Sequence, residues 1–355
     1  MSRAPALVTV TRGAPMRTAG KIALFAALLA VVVFGGGFLL PRQVHVERSA
    51  VVDARPATVH VLLNGFRTYN TWSPWFELDP QAEYTVSGPD AGVGAKLAWA
   101  SDKKDVGSGS QVIVESRAPE LVKMALDFGG MGTATSEFRL TSEGEGTRIV
   151  WGLDSDMGAG PIGRWFGLLM DRMVGKDFEK GLAALQKVAA GLPKEDLAGL
   201  DVSRVDVTPI TVAYVPAASP RDDGAYAAAL GAGYGQVATF MSKHGVKQAA
   251  PVLAINNKED ASGYQFDAAI PLDRAPDRPI AADSRVQVKQ TYGGPALKIV
   301  HKGSYHALPA TYAKTMAYMQ AAGYEPAGAP WDEFVSDPGE TPEAELLTNI
   351  YVPIR

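Results

Sequence analysis

The sequence predicts an α+β protein that starts with one membrane-spanning helix and continues into two soluble domains. Three observations predict it. Residues Ile22 to Leu40 carry no charge; short strand-like segments up to about residue 153 are followed by one long periodic helix; and the last 150 or so residues repeat themselves at an interval of roughly 80.

The uncharged run is nineteen residues long and is bounded by Lys21 and Arg42. At about 1.5 Å per residue it spans the hydrocarbon core of a bilayer, so residues 22–40 read as a transmembrane helix. Arg3, Arg12, Arg17 and Lys21 precede it, and no acidic residue occurs before Glu47. The positive-inside rule then keeps the tail 1–21 in the cytoplasm and sends residues 43–355 outward, into the periplasm of a bacterium whose inner membrane holds the helix as a single-pass anchor. A cleaved signal peptide is the competing reading, but this run is longer than the usual h-region and ends in Gly-Gly-Gly-Phe-Leu-Leu-Pro without an A-x-A-like site. Gly35, Gly36 and Gly37 would let a partner helix come close, although a Gly-rich segment more often does nothing specific.

Some 313 residues follow the anchor, enough for two domains with real cores. A net charge of -4 leaves no basic footprint for nucleic acid. The absence of cysteine excludes disulfides and thiolate chemistry without fixing the compartment.

The first soluble domain is expected over 43–191. Val44 to Ala54 has strand character, Pro56 suits the first turn of a helix to about Leu63, and six candidate strands follow: Glu83 to Ser87, Lys96 to Ala100, Gln111 to Ser116, Val122 to Phe128, Ser136 to Thr141 and Thr147 to Leu153. Glu143-Gly144-Glu145-Gly146 reads as a hairpin turn, so the strands form an antiparallel meander. From Ile162 to Ala190 apolar residues recur at three and four: Trp165, Leu168, Leu169, Met173, then Phe178, Leu182, Leu185 and Ala189. That spacing marks one apolar face, expected to lie across the sheet.

Taken together, Leu-Pro-Arg after the apolar run, Val46-Glu47-Arg48-Ser49, Trp72-Ser73-Pro74-Trp75, Gly92-Val93-Gly94-Ala95-Lys96 with Trp99, Gly146-Thr147-Arg148 with Trp151, and Gly175-Lys176-Asp177-Phe178-Glu179-Lys180-Gly181-Leu182 resemble the START-like SRPBCC superfamily. The group it looks like is the membrane-anchored one labelled polyketide cyclase or dehydrase. The resemblance implies a helix-grip fold: a curved antiparallel sheet wrapped on a long C-terminal helix, with an apolar cavity between them. The superfamily includes lipid carriers, receptors and enzymes, and no catalytic motif carries across.

Gly158-Ala159-Gly160-Pro161-Ile162-Gly163 fits G-x-G-x-x-G, but no parallel strand with a terminal acid follows the helix. A loop that turns the last strand into the long helix is the favoured reading. Trp72, Trp75 and Trp99 are candidates for lining a ligand cavity, as are Trp151 and Trp165; for each singly, ordinary core packing is favoured.

A polar, Pro-containing linker is expected at 192–202, and a pseudo-symmetric second domain at 203–355. Phe240-Met241, Gly245 and Pro251 recur as Tyr318-Met319, Gly323 and Pro330, and Ala268 to Leu272 recurs as Asn349 to Ile354. The offsets are 78 (319 minus 241) and 82 (353 minus 271). Each half reads as strand, helix, strand, strand: Val205 to Tyr214, Tyr226 to His244, Val252 to Ile255 and Tyr264 to Ile270, then Ala296 to His301, Thr311 to Ala322, Trp331 to Val335 and Leu346 to Ile354. Gly245 and Gly323 suit left-handed helix caps.

Lys298 to Tyr305, Tyr312 through Gly323, Glu333-Phe334-Val335-Ser336-Asp337-Pro338 and the ending Leu347 to Ile354 resemble the GyrI-like family, the effector-binding domain of AraC-type regulators. The resemblance implies a groove between the two halves for amphipathic, often cationic, small molecules, with Glu333 as its central glutamate; a subset of the family looks like hydrolases using that glutamate as a base. In an extended segment Trp331, Glu333 and Val335 share a face, so an inward Glu333 would be a carboxylate among apolar groups. Tyr292, Tyr305 and Tyr312 are candidates to add π-faces, although most tyrosines are amphipathic packing. His301 and His306, five apart, match no metal-ligand spacing, and no nucleophile elbow is present.

The expectation is a membrane-tethered binding protein for small hydrophobic or amphipathic molecules, without a cofactor and with no protein partner named. The alternative is a hydrolase or cyclase with Glu333 as general base.

Overall fold

The computed structural model describes residues 16–281 and 283–355, with side chains from residue 20 onward; the rest of the expected cytoplasmic tail, 1–15, lies outside the described residues. Helix α1 (Met16–Leu39) holds the apolar run, and its window Gly20–Leu39 is long and apolar enough to cross a membrane. Three residues later β1 (Gln43–Val52) begins the first sheet. Helices α2 (Pro56–Leu63) and α3 (Pro74–Leu78) follow, each with proline in its first turn, where the missing N–H costs nothing. The meander β2 (Glu83–Ser87), β3 (Lys96–Ala100), β4 (Ser108–Arg117), β5 (Leu121–Asp127), β6 (Thr133–Glu143) and β7 (Gly146–Asp156) completes a seven-stranded antiparallel sheet, order β1-β7-β6-β5-β4-β3-β2. Glu143 pairs with Gly146 across the expected hairpin turn. Helix α4 (Pro161–Ala190) then lies along β1, and the G-x-G-x-x-G stretch forms the loop and first turn that lead into it.

One expectation about α4 needs correction. Phe178, Leu182, Leu185 and Ala189 are buried against the sheet, but Trp165, Leu168, Leu169 and Met173 are exposed. The apolar series changes phase between Met173 and Phe178. From Leu169 to Phe178, nine residues at about 100° each end half a turn away, so the two groups lie on opposite sides of the helix. In the first half of α4 it is Gly167, Met170 and Val174 that turn towards the sheet domain.

Gly36 and Gly37 do meet a helix, and it belongs to this chain. A Cβ at Gly37 would come within 2.6 Å of Pro161 Cβ and 2.9 Å of Trp165 Nε1, so only glycine lets α4 approach α1 so closely. The Trp165 indole donates to the Val33 carbonyl (2.7 Å), and Arg164 donates to the carbonyls of Phe38 (2.8 Å) and Leu40 (3.2 Å). Phe38 is in the last turn of α1, where a helix leaves its carbonyls without partners.

The second sheet is built from β8 (Asp201–Val207), β9 (Thr211–Ser219), α5 (Asp223–His244), β10 (Leu253–Asp260), β11 (Gly263–Pro271), β12 (Gln287–Gln290), β13 (Gly294–Lys302), α6 (Leu308–Ala322), β14 (Trp331–Phe334) and β15 (Leu347–Pro353). Its order is β12-β9-β11-β10-β14-β15-β13-β8. The halves are related element by element, β9-α5-β10-β11 to β13-α6-β14-β15, and they meet where β10 pairs antiparallel with β14. Gly245 (φ 65°) and Gly323 (φ 76°) cap α5 and α6 in the left-handed conformation. The single strand expected over 205–214 is two strands. The chain breaks at Thr208-Pro209-Ile210, after which β8 pairs with β13 while β9 pairs with β11 and β12. Proline has no N–H to offer a ladder, which is why the strand cannot run through.

The two sheet domains are joined by more than the chain. Asp90 accepts from Tyr324 (3.0 Å) and pairs with Arg204 (3.1 Å) and Arg67 (3.4 Å); Arg67 also lies 4.6 Å from the Tyr324 ring centroid. Ala321 of α6 is buried within the core of the first domain. Leu192 is buried in the core of the first domain and Leu197 is buried as well, and Lys314 and Gln320 of α6 donate to the carbonyls of Ala198 and Gly191.

Candidate functional site

Helices α5 and α6 cover one face of the second sheet, and the other face is an open groove. Strand alternation sends Trp331 and Glu333 of β14 into that groove and Asp332 to the helix side. Register then brings their neighbours. Trp331 lies opposite Ile255 on β10 and Tyr351 on β15, and Tyr351 opposite Lys298 on β13; Glu333 lies between Leu253 and Asn349. Leu253, Ile255, Val212, Ala269 and Trp331 form an apolar floor.

Around Glu333 the groove deepens to a cleft of about 280 Å³. Its wall is a stacked pair, Trp331 on Tyr351, with ring centroids 4.9 Å apart and planes 8° from parallel; Tyr292 tilts against Trp331 at 6.2 Å. Both hydrogen bonds to the Glu333 carboxylate reach Oε2, from Asn349 Nδ2 (2.6 Å) and Tyr351 OH (3.4 Å). Oε1 receives no hydrogen bond among the described residues. Burial first, and then the carboxylate, pushes the Tyr351 phenol up to about 12, so it stays a donor at neutral pH. Among the described residues Glu333 has no ion-pair partner, whereas Asp206 pairs with Arg204 at 3.7 Å. The charged side chains lining the cleft are Asp206, Glu333 and Lys298, of which Asp206 is paired with Arg204.

Tyr305 and Tyr312 sit on the opposite side of the sheet from Glu333. Tyr305 packs edge-on against Phe334, and Tyr312 OH donates to Asp332 Oδ1 (2.7 Å). Sequence reasoning missed Tyr351, Asn349 and Lys298, which the groove brings to Glu333. The i, i+2 spacing of Asn349 and Tyr351 within β15 was visible, but the register that sets β15 beside β14, and Lys298 of β13 beside Tyr351, was not. It also missed a buried polar network: Asn256 Nδ2 donates to Asp332 Oδ2 (3.0 Å), and Tyr226 OH donates to Asn256 Oδ1 (3.3 Å). Burial raises the Asp332 carboxyl to about 6, against the pull of its hydrogen bonds to Asn256 and Tyr312.

Residues 43–190 match the family described as polyketide cyclase / dehydrase and lipid transport, and residues 201–355 match the GyrI-like small molecule binding domain. Both are ligand-binding folds. Similar solved structures include the C-terminal domain of EcmrR, at 14% identity over 44% of this chain and 98% of that chain, with a TM-score of 0.39. A hydrolase from Listeria innocua is 18% identical over 44% and 92%, with a TM-score of 0.33. The di-domain ARO/CYC StfQ from the steffimycin biosynthetic pathway is 12% identical over 50% and 62%, with a TM-score of 0.34. No curated protein matches the chain by sequence.

In the cyclase-type domain the grip of sheet on helix is filled with aromatic rings. Trp151 stacks on Phe178 at 3.9 Å, and the edge of Trp72 meets both Phe138 and Trp151. Trp75 packs edge-on against Trp151, and Trp99 against Phe128 with its indole donating to the Val106 carbonyl (3.3 Å). Trp72 Nε1, Ser73 Oγ, Tyr84 OH and Gln111 Nε2 are buried in this domain without a hydrogen-bond partner. A larger cleft, about 320 Å³, lies between the linker and α6 beside Pro193, Met316 and Tyr324, but no set of polar groups converges on it as on Glu333.

Proposed function

We propose that this chain is a membrane-tethered binding protein whose GyrI-like domain takes an amphipathic cation in the Glu333 cleft, for sensing, sequestration or transfer. The observation that carries the reading is a carboxylate with one oxygen free of hydrogen bonds among the described residues, beside stacked aromatic rings on an apolar floor. An organic cation gains there from the carboxylate and from the π-faces, and its apolar body from leaving water. In this reading α1 is a single-pass anchor, with the Lys/Arg-rich tail in the cytoplasm and both domains in the periplasm.

The test is titration of the detergent-solubilised protein with tetraphenylphosphonium, beside neutral triphenylphosphine oxide. Glu333→Gln should weaken binding of the cation about tenfold or more, from loss of a charge–charge contact, and leave the neutral compound unaffected. Equal binding of both compounds by both proteins would sink the reading. Because Asn349 and Tyr351 also orient Glu333 as a general base would need, a hydrolase or cyclase is the second reading. It requires Glu333→Gln to abolish turnover while affinity survives.

A further inference from the structure

Ile162, Phe166, Leu169 and Met173 follow one another at four, three and four residues, which places them in one narrow stripe of α4. All four are exposed, at 66, 48, 51 and 52%. The stripe lies about a quarter-turn or more round the helix from Gly167, Met170 and Val174, and its exposure shows that the sheet does not cover it. Other charges of this half-helix are committed: Arg164 to the carbonyls of Phe38 and Leu40, and Asp171 to Arg48 (2.8 Å). Arg172 beside the stripe is exposed.

The contacts with α1 fix the level of this stripe. Val33, whose carbonyl receives the Trp165 indole, lies six residues before the end of α1, or about 9 Å down its axis. Pro161 packs on Gly37. With α1 spanning a bilayer, the first turn of α4 therefore starts inside the outer leaflet and rises out of it along β1. The same end of the first sheet carries the β5–β6 loop with exposed Met131, because Asp127 pairs with Thr133 and Ala134 with Ser155 beside the start of β1.

We infer that the Ile162–Phe166–Leu169–Met173 stripe is immersed in the lipid of the outer leaflet, so that the cyclase-type domain lies against the bilayer and does not merely hang from it. The inference rests on α1 being a membrane anchor. An apolar helix face at headgroup level, edged by a cation whose stem can lie along apolar surface, is the arrangement by which interfacial helices bind membranes. Continuity with α1 selects lipid as the occupant.

The chain contains no cysteine, so single labels are simple to place. Phe166→Cys, Leu169→Cys and, as a control on the last turns of α4, Lys187→Cys would each be labelled with an environment-sensitive fluorophore in full-length protein reconstituted into phosphatidylcholine–phosphatidylglycerol vesicles. Labels at 166 and 169 should lose emission to a nitroxide carried on lipid chains and be untouched by aqueous iodide, with the reverse at 187. Iodide quenching at all three sites, in protein that alkaline carbonate fails to strip from the vesicles, overturns the inference and leaves the anchor standing. Release by carbonate removes the anchor and the inference together. Labels at 166 and 169 shielded from both quenchers would mean that a protein surface, such as a second copy, covers the stripe, and this too overturns it.

Discussion

Asp332 and Glu333 follow one another on β14 and face opposite sides of the sheet. Glu333 is half-buried beside a cleft, whereas Asp332 is buried among Tyr312, Asn256 and the helix-side core. Its raised value, about 6 against about 3.9 in an unfolded chain, means that the fold binds a proton there which the unfolded state has released. Its contribution to stability is therefore greatest below pH 4, falls as pH rises through 6 and is level above that; the difference is roughly 2–3 kcal/mol. Asp332→Asn should flatten this part of the stability–pH curve, measured by denaturant unfolding at steps from pH 4 to 7.5. An unchanged slope would show that Asp332 ionises freely in the fold. At this scale the sequence showed that Trp331 and Glu333 share a face, because alternation is local. It did not separate Tyr292, which joins them, from Tyr305 and Tyr312, which lie across the sheet, because that depends on pairing between distant strands.

Helix α4 shows the same limit in an element. Its length, its start at Pro161 and its burial of Phe178, Leu182, Leu185 and Ala189 were all legible from spacing. The phase change after Met173 was legible too, since a gap of five interrupts the threes and fours, yet it passes for one continuous face when the residues are only counted as apolar. The buried half is where the helix holds the sheet. Phe178 is 1% exposed and stacked on Trp151, so Phe178→Ala should cost about 3–5 kcal/mol in denaturant unfolding. The repeat in the second domain was easier to read, because Gly245 and Gly323 mark equivalent helix ends; the short strand β12 escaped notice because four residues carry little periodicity.

Across the whole molecule the decisive contacts are those at Asp90. One carboxylate from the first domain meets Arg67 of its own domain and Arg204 and Tyr324 of the second, and α6 sets Ala321 into the first core. The domains should therefore unfold as one. Asp90→Ala should split a single calorimetric transition into two; two transitions already present in the unaltered protein would show that the junction is weak. None of this was readable from the linker, whose polar, Pro-containing composition marked a boundary but no interface. With Arg42 paired to Asp156 (2.7 Å) directly above the three-residue step from α1 to β1, the chain has no slack from bilayer to far domain. If α1 is the anchor and the Glu333 cleft the binding site, as proposed above, that cleft is a berth held at one altitude, and whatever loads or unloads it must come to that altitude.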